Sequence, residues 1–216
     1  MEIILIVSNF LLPEDYHNFS QVNKFIHDIL KDKYFFEKYE KNFQVKIGLL
    51  SVYRNDRVSK SIISCKGIID FAVFIILKGH IDPDTSIEEI NKSCSELNIN
   101  YHIYYLNNFK DFSHMRNFAL DCFKDYIKGR YIPKRTYSLF LDPELFITPL
   151  KSNKNKLTEI CYYSYIDAKH VIYQKEMLLR SDINFRYIGK THEVLNLDGI
   201  EGNLGLCNLF KVISFP

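Results

Sequence analysis

Glycine and proline are scarce in this 216-residue chain, at 8 and 6. So few breakers, beside 47% hydrophobic and 15% aromatic residues, exclude a disordered or collagen-like chain and predict a globular one. A chain this long buries about 70% of its unfolded surface without needing staples. Charge of either sign is nearly balanced, with 28 Lys+Arg against 26 Asp+Glu and a formal net of +2. No strong field draws in a polyanion, so no nucleic-acid partner is expected. The 5 cysteines, Cys65, Cys94, Cys122, Cys161 and Cys207, are odd in number, widely spaced and without a Cys-x-x-Cys pair. That excludes a zinc ribbon and a disulfide framework and predicts reduced, buried thiols. Long hydrophobic runs are missing too. None reaches the roughly 18 residues of a spanning helix, so no transmembrane segment is expected. The run Ile3-Ile4-Leu5-Ile6-Val7 is short and lacks the basic flank of a secretory signal, which leads us to expect a cytoplasmic protein. Neither G-x-G-x-x-G after a strand nor G-x-x-x-x-G-K-[ST] occurs, which disfavours dinucleotide oxidoreductases and P-loop enzymes.

What is present is an alternation of two periodicities. Ile3 to Ser8 reads as a short strand, followed by a helix with Val22, Phe25, Ile26, Ile29 and Leu30 on one face and Ser20 as its cap. Gln44 to Val52 is a second strand, then Asp56 is a candidate cap for a short helix carrying Val58, Ile62 and Ile63 that stops at Gly67. Ile68 to Leu77 is a continuous apolar run, and after Pro83 a helix carries Ser86 and Glu89 at capping-box spacing. Tyr101 to Leu106, a helix capped by Ser113 and running to about Gly129, and the strand Tyr137 to Leu141 complete the alternation. This pattern predicts a mostly parallel, three-layer α/β sheet with ligands beyond the carboxyl ends of its strands. Past Pro149, Leu157 to Ile166, His170 to Leu179, Glu193 to Leu197 and Leu206 to Ile213 read as strands with little helix between them. They are expected to pair antiparallel on the sheet edge or to form a small sheet. Lys151 to Lys156 reads as a mobile loop.

Three segments carry chemistry. Asp142-Pro143-Glu144 sets two carboxylates at i and i+2 just past an apolar strand, and extended backbone would turn both to one face. Such a pair suits a hard divalent cation shared with phosphates, although a polar turn is the plainer reading. In Asp111-Phe112-Ser113-His114-Met115-Arg116-Asn117, a cation in a first helical turn opposes the macrodipole, so Arg116 calls for an anion, or for Asp111 or Asp121 as a partner. The third, Arg180 to Glu193, brings Arg, His and Glu around an aromatic segment, where His192-Glu193 reads either as ligand and base or as a strand end.

Taken in this order, the segments resemble a known family. From Val45 to about Leu195 the chain is similar to the family 2 glycosyltransferases of GT-A fold, most closely the short bacterial and viral type. The family's first strand ends in a Val-Lys-Asn-Glu-like turn, here Tyr53-Arg54-Asn55-Asp56. Its Asp-Phe-Ser-x-x-Arg-Asn motif is Asp111-Phe112-Ser113 with Arg116-Asn117, and its Asp-x-Asp motif is Asp142-Pro143-Glu144. Its Arg…Phe-x-Gly-x-x-His-Glu motif is Arg180…Tyr187-Ile188-Gly189-Lys190-Thr191-His192-Glu193. The sequence departs from the pattern at Leu77, where the family has a base-contacting Asp, at Glu144 for the second Asp, and at Leu145 for the acid that often follows.

The resemblance implies a GT-A-type, Rossmann-like three-layer α/β/α domain with a mixed or antiparallel C-terminal part. Residues 45–216 would form it, a nucleotide-binding half at 45–149 and an acceptor-side half at 150–216, with 1–44 as an extension. It implies transfer of a sugar from a nucleotide-sugar donor to a glycan, protein or other acceptor, assisted by Mn²⁺ or Mg²⁺. In that reading Tyr53, Arg54, Asp56, Lys78, Arg116, Asp142 and Arg180 bind the donor. Asp142, Glu144 and His192 hold the metal, and Glu193 is the first candidate base, Asp167 the second. A non-catalytic sugar- or nucleotide-binding module is the alternative. A metal nuclease built on Pro83-Asp84 and Asp167-Ala168-Lys169 is disfavoured by the distance between those segments and by the near-neutral charge. The aromatic-rich segment with Phe25, Ile29, Tyr34, Phe35, Phe36 and Tyr39 reads as core, with a homodimer contact as the other reading.

Overall fold

The computed structural model describes residues 44–53, 58–79, 83–168 and 171–214. The strand and helix expected within 1–43, with their Ser20 cap and aromatic face, lie outside the described residues, as do Arg54, Asn55, Asp56, His80, Lys169 and His170. From Lys46 onward the described residues belong to one compact unit.

Strand β1 (Lys46–Tyr53) is buried after its first residue, and β2 (Phe71–Leu77) and β4 (Thr136–Phe140) are buried throughout. That is why β2 reads as a continuous apolar run and the other two show no polar-apolar alternation: a central parallel strand is covered on both faces and has no side to leave to water. β3 (Asn100–Leu106) lies at the sheet edge and is only partly covered. Helix α1 (Val58–Ser64) joins β1 to β2, α2 (Pro83–Leu97) joins β2 to β3, and α3 (Phe112–Ile127) precedes β4. The four strands run parallel in the order β3-β2-β1-β4, with Leu49 beside both Ala72 and Leu139. The order reverses between β1 and β4, and the crevice at such a switch point, outside the carboxyl ends, is the usual ligand position.

Alternation along β1 and β2 divides their side chains. Leu50, Val52, Phe71, Val73, Ile75 and Leu77 join Met115, Ala119, Leu120 and Phe123 of α3 in one core. Tyr53 lies on the other face, its ring 5.6 Å from Phe74. Gly48 makes room in this packing, because a Cβ there would lie 2.6 Å from Phe123 Cε2 and closer still to the Phe71 ring. Phe71 is itself stacked on Tyr131 at 4.6 Å.

The remainder is β5 (Leu145–Pro149), β6 (Cys161–Ala168), β7 (Val171–Arg180), β8 (Arg186–Ile188), β9 (Val194–Asn196), β10 (Leu204–Leu206) and β11 (Phe210–Ser214). β7 pairs antiparallel with β4, β6 with β7, and β5 with β11, extending the sheet to nine strands, while β8 and β9 form a separate hairpin. Both expected fates of the C-terminal third are therefore realised. The nine-stranded sheet as a whole is mixed: its β3-β2-β1-β4 part is parallel throughout, and in the C-terminal part β11 runs parallel to β6. β5 was not expected, because its five residues follow the turn at Pro143 too closely to read as a new element.

Two expected caps are corrected. Ser113 lies inside α3, whose cap is Asp111, accepting from the His114 amide at 2.7 Å. Ser86 lies inside the first turn of α2 and is buried, so its spacing to Glu89 is not a capping box. The lysine-rich segment expected as a loop contains a short 3-10 turn at Lys154–Lys156, tied down by Lys154 Nζ to Asp70 Oδ2 at 2.6 Å.

Candidate functional site

The site begins where β4 ends. The Leu141 amide donates to Leu50 O at 3.1 Å, and Ser51 Oγ donates to Leu141 O at 2.6 Å, which fixes Asp142 at the carboxyl edge beside β1. From there the chain turns, the Leu145 amide donating to Asp142 O at 2.9 Å. Asp142 and Glu144 therefore do not share one face of an extended strand. Asp142 turns inward and Glu144 is exposed.

Arg116 comes to Asp142 from α3. Its Nη2 lies 3.4 Å from both Asp142 oxygens, and its Nε donates to Glu193 Oε1 at 2.5 Å. The guanidinium is 4.5 Å from the Phe140 ring centroid and 5.3 Å from that of Tyr187, so aromatic faces cover the cation while carboxylates hold its edge. Arg116 is only 6% exposed, and its buried Nη1 has no hydrogen-bond partner. Burial works against the charge of Arg116, but Asp142, with Tyr187 and Glu193, raises its pKa above the ordinary value. Neither Asp111 nor Asp121 is its partner: Asp111 caps α3, and Asp121 pairs with Arg186 at 2.8 Å.

The same segments are locked together by hydrogen bonds to main-chain groups. Asn117 Nδ2 donates to Tyr187 O at 2.9 Å, and the Tyr187 amide donates to Asn117 Oδ1 at 2.7 Å, so the side chain imitates a strand partner. Ser113 Oγ donates to Gly189 O, and the Phe112 amide to Lys190 O at 3.4 Å. The turn from Gly189 (φ +98°) to His192 (φ +58°) then delivers Glu193 to Arg116. A non-glycine residue in the left-handed region is uncommon, and His192 takes it to make that turn.

Lys175, which sequence reasoning missed, completes the cluster: its Nζ is ion-paired with Asp142 Oδ2. The β4–β7 register pairs Leu139 with Leu178, and continued past the last bonded pair it sets Asp142 opposite Lys175. Burial acts to raise the Asp142 pKa, but Lys175 first and Arg116 second outweigh it and hold it at about 2. The pair was invisible in the sequence because it depends on a register between segments 33 residues apart.

Other candidates lie elsewhere. Tyr53 is fully buried, packed near Cys65, Cys94 and Glu89, so it is a core residue and not a donor-contacting one. Arg180 pairs with Tyr137 at the amino edge of β4, bound to Asp182 at 2.7 Å, because antiparallel β7 carries its end away from Asp142. Asp167 is exposed and pairs with Ile172, three residues up the strand from Lys175, about 10 Å at the usual rise. Lys78 is exposed at the carboxyl edge, its Nζ 5.2 Å from the Tyr105 ring centroid, and Leu77 is core. His192 is exposed.

The residues named for a divalent ion do not assemble. Among the described residues no three His, Cys, Asp or Glu side chains gather as a metal-holding group. Asp142 instead has a cation against each of its oxygens. As it stands, this donor set does not fit a hard cation, which needs several oxygens free to face it. What the cluster can do chemically is present two cations, one carrying an unused N–H donor, to an anion at the switch point.

No helix among the described residues is long and apolar enough to cross a membrane. No protein-family model matches the chain, and no curated protein matches it significantly.

Proposed function

We propose that the chain is a nucleotide-sugar-dependent glycosyltransferase of GT-A type, with the donor diphosphate at the carboxyl edge of β1 and β4. The observation that carries the reading is the grip of Asp142 and Glu193 on Arg116. These are one residue from each of three of the four motifs on which the family resemblance rests, and they meet at the switch point of the sheet. The packing of α3 against β1 and β2 suits one outer layer of that fold.

In this reading the bond between the anomeric carbon and the diphosphate oxygen breaks, and its electron pair leaves with the oxygen. The acceptor oxygen bonds to the anomeric carbon and its proton passes to Glu193, our candidate base. Arg116 lies ready for the charge that grows on the leaving group, with its N–H donors already oriented by Glu193 and Asp142. A second reading, a nucleotide- or sugar-binding module without turnover, is favoured by Leu77, a core residue where the family carries a base-contacting Asp.

The test is a thermal-shift screen of nucleoside diphosphates and nucleotide sugars, followed by release of nucleoside diphosphate from any donor that binds. At a hundredfold excess over Kd a ligand stabilises the native state by about 2.7 kcal/mol. Release that falls in Arg116→Ala and Glu193→Gln supports the transferase. Binding without release supports the module, and neither binding nor release refutes both.

A further inference from the structure

We propose that Lys175 is the cation that meets the donor diphosphate at this site, in the position where the family resemblance implies a divalent ion. The inference rests on the transferase reading for its substrate and on the geometry of Asp142 for its residue.

Asp142 is the pivot. Its side chain is 16% exposed, and its two oxygens face Arg116 Nη2 and Lys175 Nζ. A divalent ion on either oxygen would sit a few ångströms from both cations in a largely dry setting, where like charges repel strongly. Such an ion also needs further oxygen ligands, and Glu144 and His192 form no group with Asp142 among the described residues. The cluster of Arg116, Lys175, Asp142 and Glu193 is balanced as it stands, two cations to two carboxylates.

A diphosphate changes that balance, and of the two cations in this cluster Lys175 is the freer to meet it. Arg116 is shared between two carboxylates and offers one unpartnered donor, Nη1. An ammonium has three donors, of which Asp142 takes one. Lys175 is also the more accessible cation, with 18% of its side chain exposed against 7% for Arg116. Its flexible stem lets the ammonium turn from Asp142 towards an arriving phosphate while Arg116 stays fixed. Asp142 is then the positioning residue that aims both cations, rather than a metal ligand.

Inorganic pyrophosphate is the probe, since it carries the diphosphate without committing to a base or sugar. Its binding to the full chain is measured by titration calorimetry in EDTA and again with Mg²⁺, for wild type, Lys175→Gln and Lys175→Arg, with melting temperatures as a check on folding. Wild type is expected to bind in EDTA, with Lys175→Gln about tenfold weaker and Lys175→Arg close to wild type. Mg²⁺ is expected to add no affinity. Binding that requires Mg²⁺, equal binding by a folded Lys175→Gln, or no binding in either condition overturns the proposal. If Lys175→Gln fails to fold, the comparison of wild type in EDTA and Mg²⁺ decides alone. Nucleotide-sugar turnover is scored separately. Pyrophosphate binding through Lys175 with no donor turned over sinks the transferase reading and leaves this one, whereas turnover strictly dependent on Mn²⁺ does the reverse.

Discussion

The Asn117 side chain holds both main-chain polar groups of Tyr187, donating to its carbonyl at 2.9 Å and accepting from its amide at 2.7 Å. Together with the bonds from Ser113 and Phe112, this amide ties α3 to the β8–β9 hairpin that carries Glu193. Asn117→Ala leaves two main-chain groups without partners, at a cost of about 2–4 kcal/mol. In a domain of this size that lowers the melting temperature by roughly 5–10 °C. Asn117→Asp keeps the acceptor and loses the donor, and should fall between. A melting curve for Asn117→Ala within about 2 °C of wild type would show that water replaces the side chain at no cost.

The depressed pKa of Asp142 gives the fold an acid limit. Its folded value of about 2 lies below the ordinary 3.8, so the stabilisation is fully present above pH 3.8 and is lost as pH falls towards 2. The shift corresponds to about 2 kcal/mol. Asp142→Asn is expected to be less stable than wild type at pH 6, because Lys175 and Arg116 lose a counter-charge, and to lose less stability between pH 4 and 2. Urea unfolding at pH 6, 4, 3 and 2 measures both. Parallel losses in the two proteins would place the acid limit elsewhere.

Gly48→Ala tests the packing beneath the site. The added methyl meets the rings of Phe71 and Phe123, and Phe71 is held from the other side by Tyr131. Overpacking of this kind costs about 1–3 kcal/mol, read as a lower urea midpoint with unchanged slope. An unchanged midpoint would show that the aromatic cluster yields.

Thiol reactivity should be graded. Burial pushes Cys65, Cys94, Cys122 and Cys161 up to about 12, so their thiolate fraction at pH 8 is negligible. Cys207 is only half-buried. In the native protein it should be labelled ahead of the other four, and all five should react in urea. Early labelling of Cys94 would mean that α2 opens on the timescale of the reaction.

The parts of this fold that sequence made legible are those in which one strand or helix is its own evidence. β1, β2 and β4 announce themselves as largely apolar segments without alternation because both their faces are covered, and the apolar face of α3 repeats at helical spacing. Asp142 at the carboxyl edge follows from that alternation. What stayed hidden depends on pairing between distant segments. Lys175 reads as one more charge on a half-exposed strand until the register with β4 is known. Arg180 looks like part of a motif until β7 proves to run antiparallel and carries it to the opposite edge. Ser113 imitates a cap because Asp111 stands two residues earlier and takes that role, freeing the hydroxyl for Gly189.

The pairing of β1 with β4 also decides when the site can exist during synthesis. Ser51 and the Leu141 carbonyl it bonds are 90 residues apart, and Arg116 and Glu193 are 77 apart. Contacts of such long range close slowly, so refolding is expected to take milliseconds to seconds rather than microseconds. A nascent chain that has emerged only as far as β5 already holds Arg116 and Asp142, but neither Lys175 nor Glu193. At that stage β4, every residue of which is buried in the folded protein, has an open edge waiting for β7. The strand that delivers Lys175 to Asp142 is thus also the strand that seals this edge against other chains, and the site's charges close in the same step that covers the edge of β4.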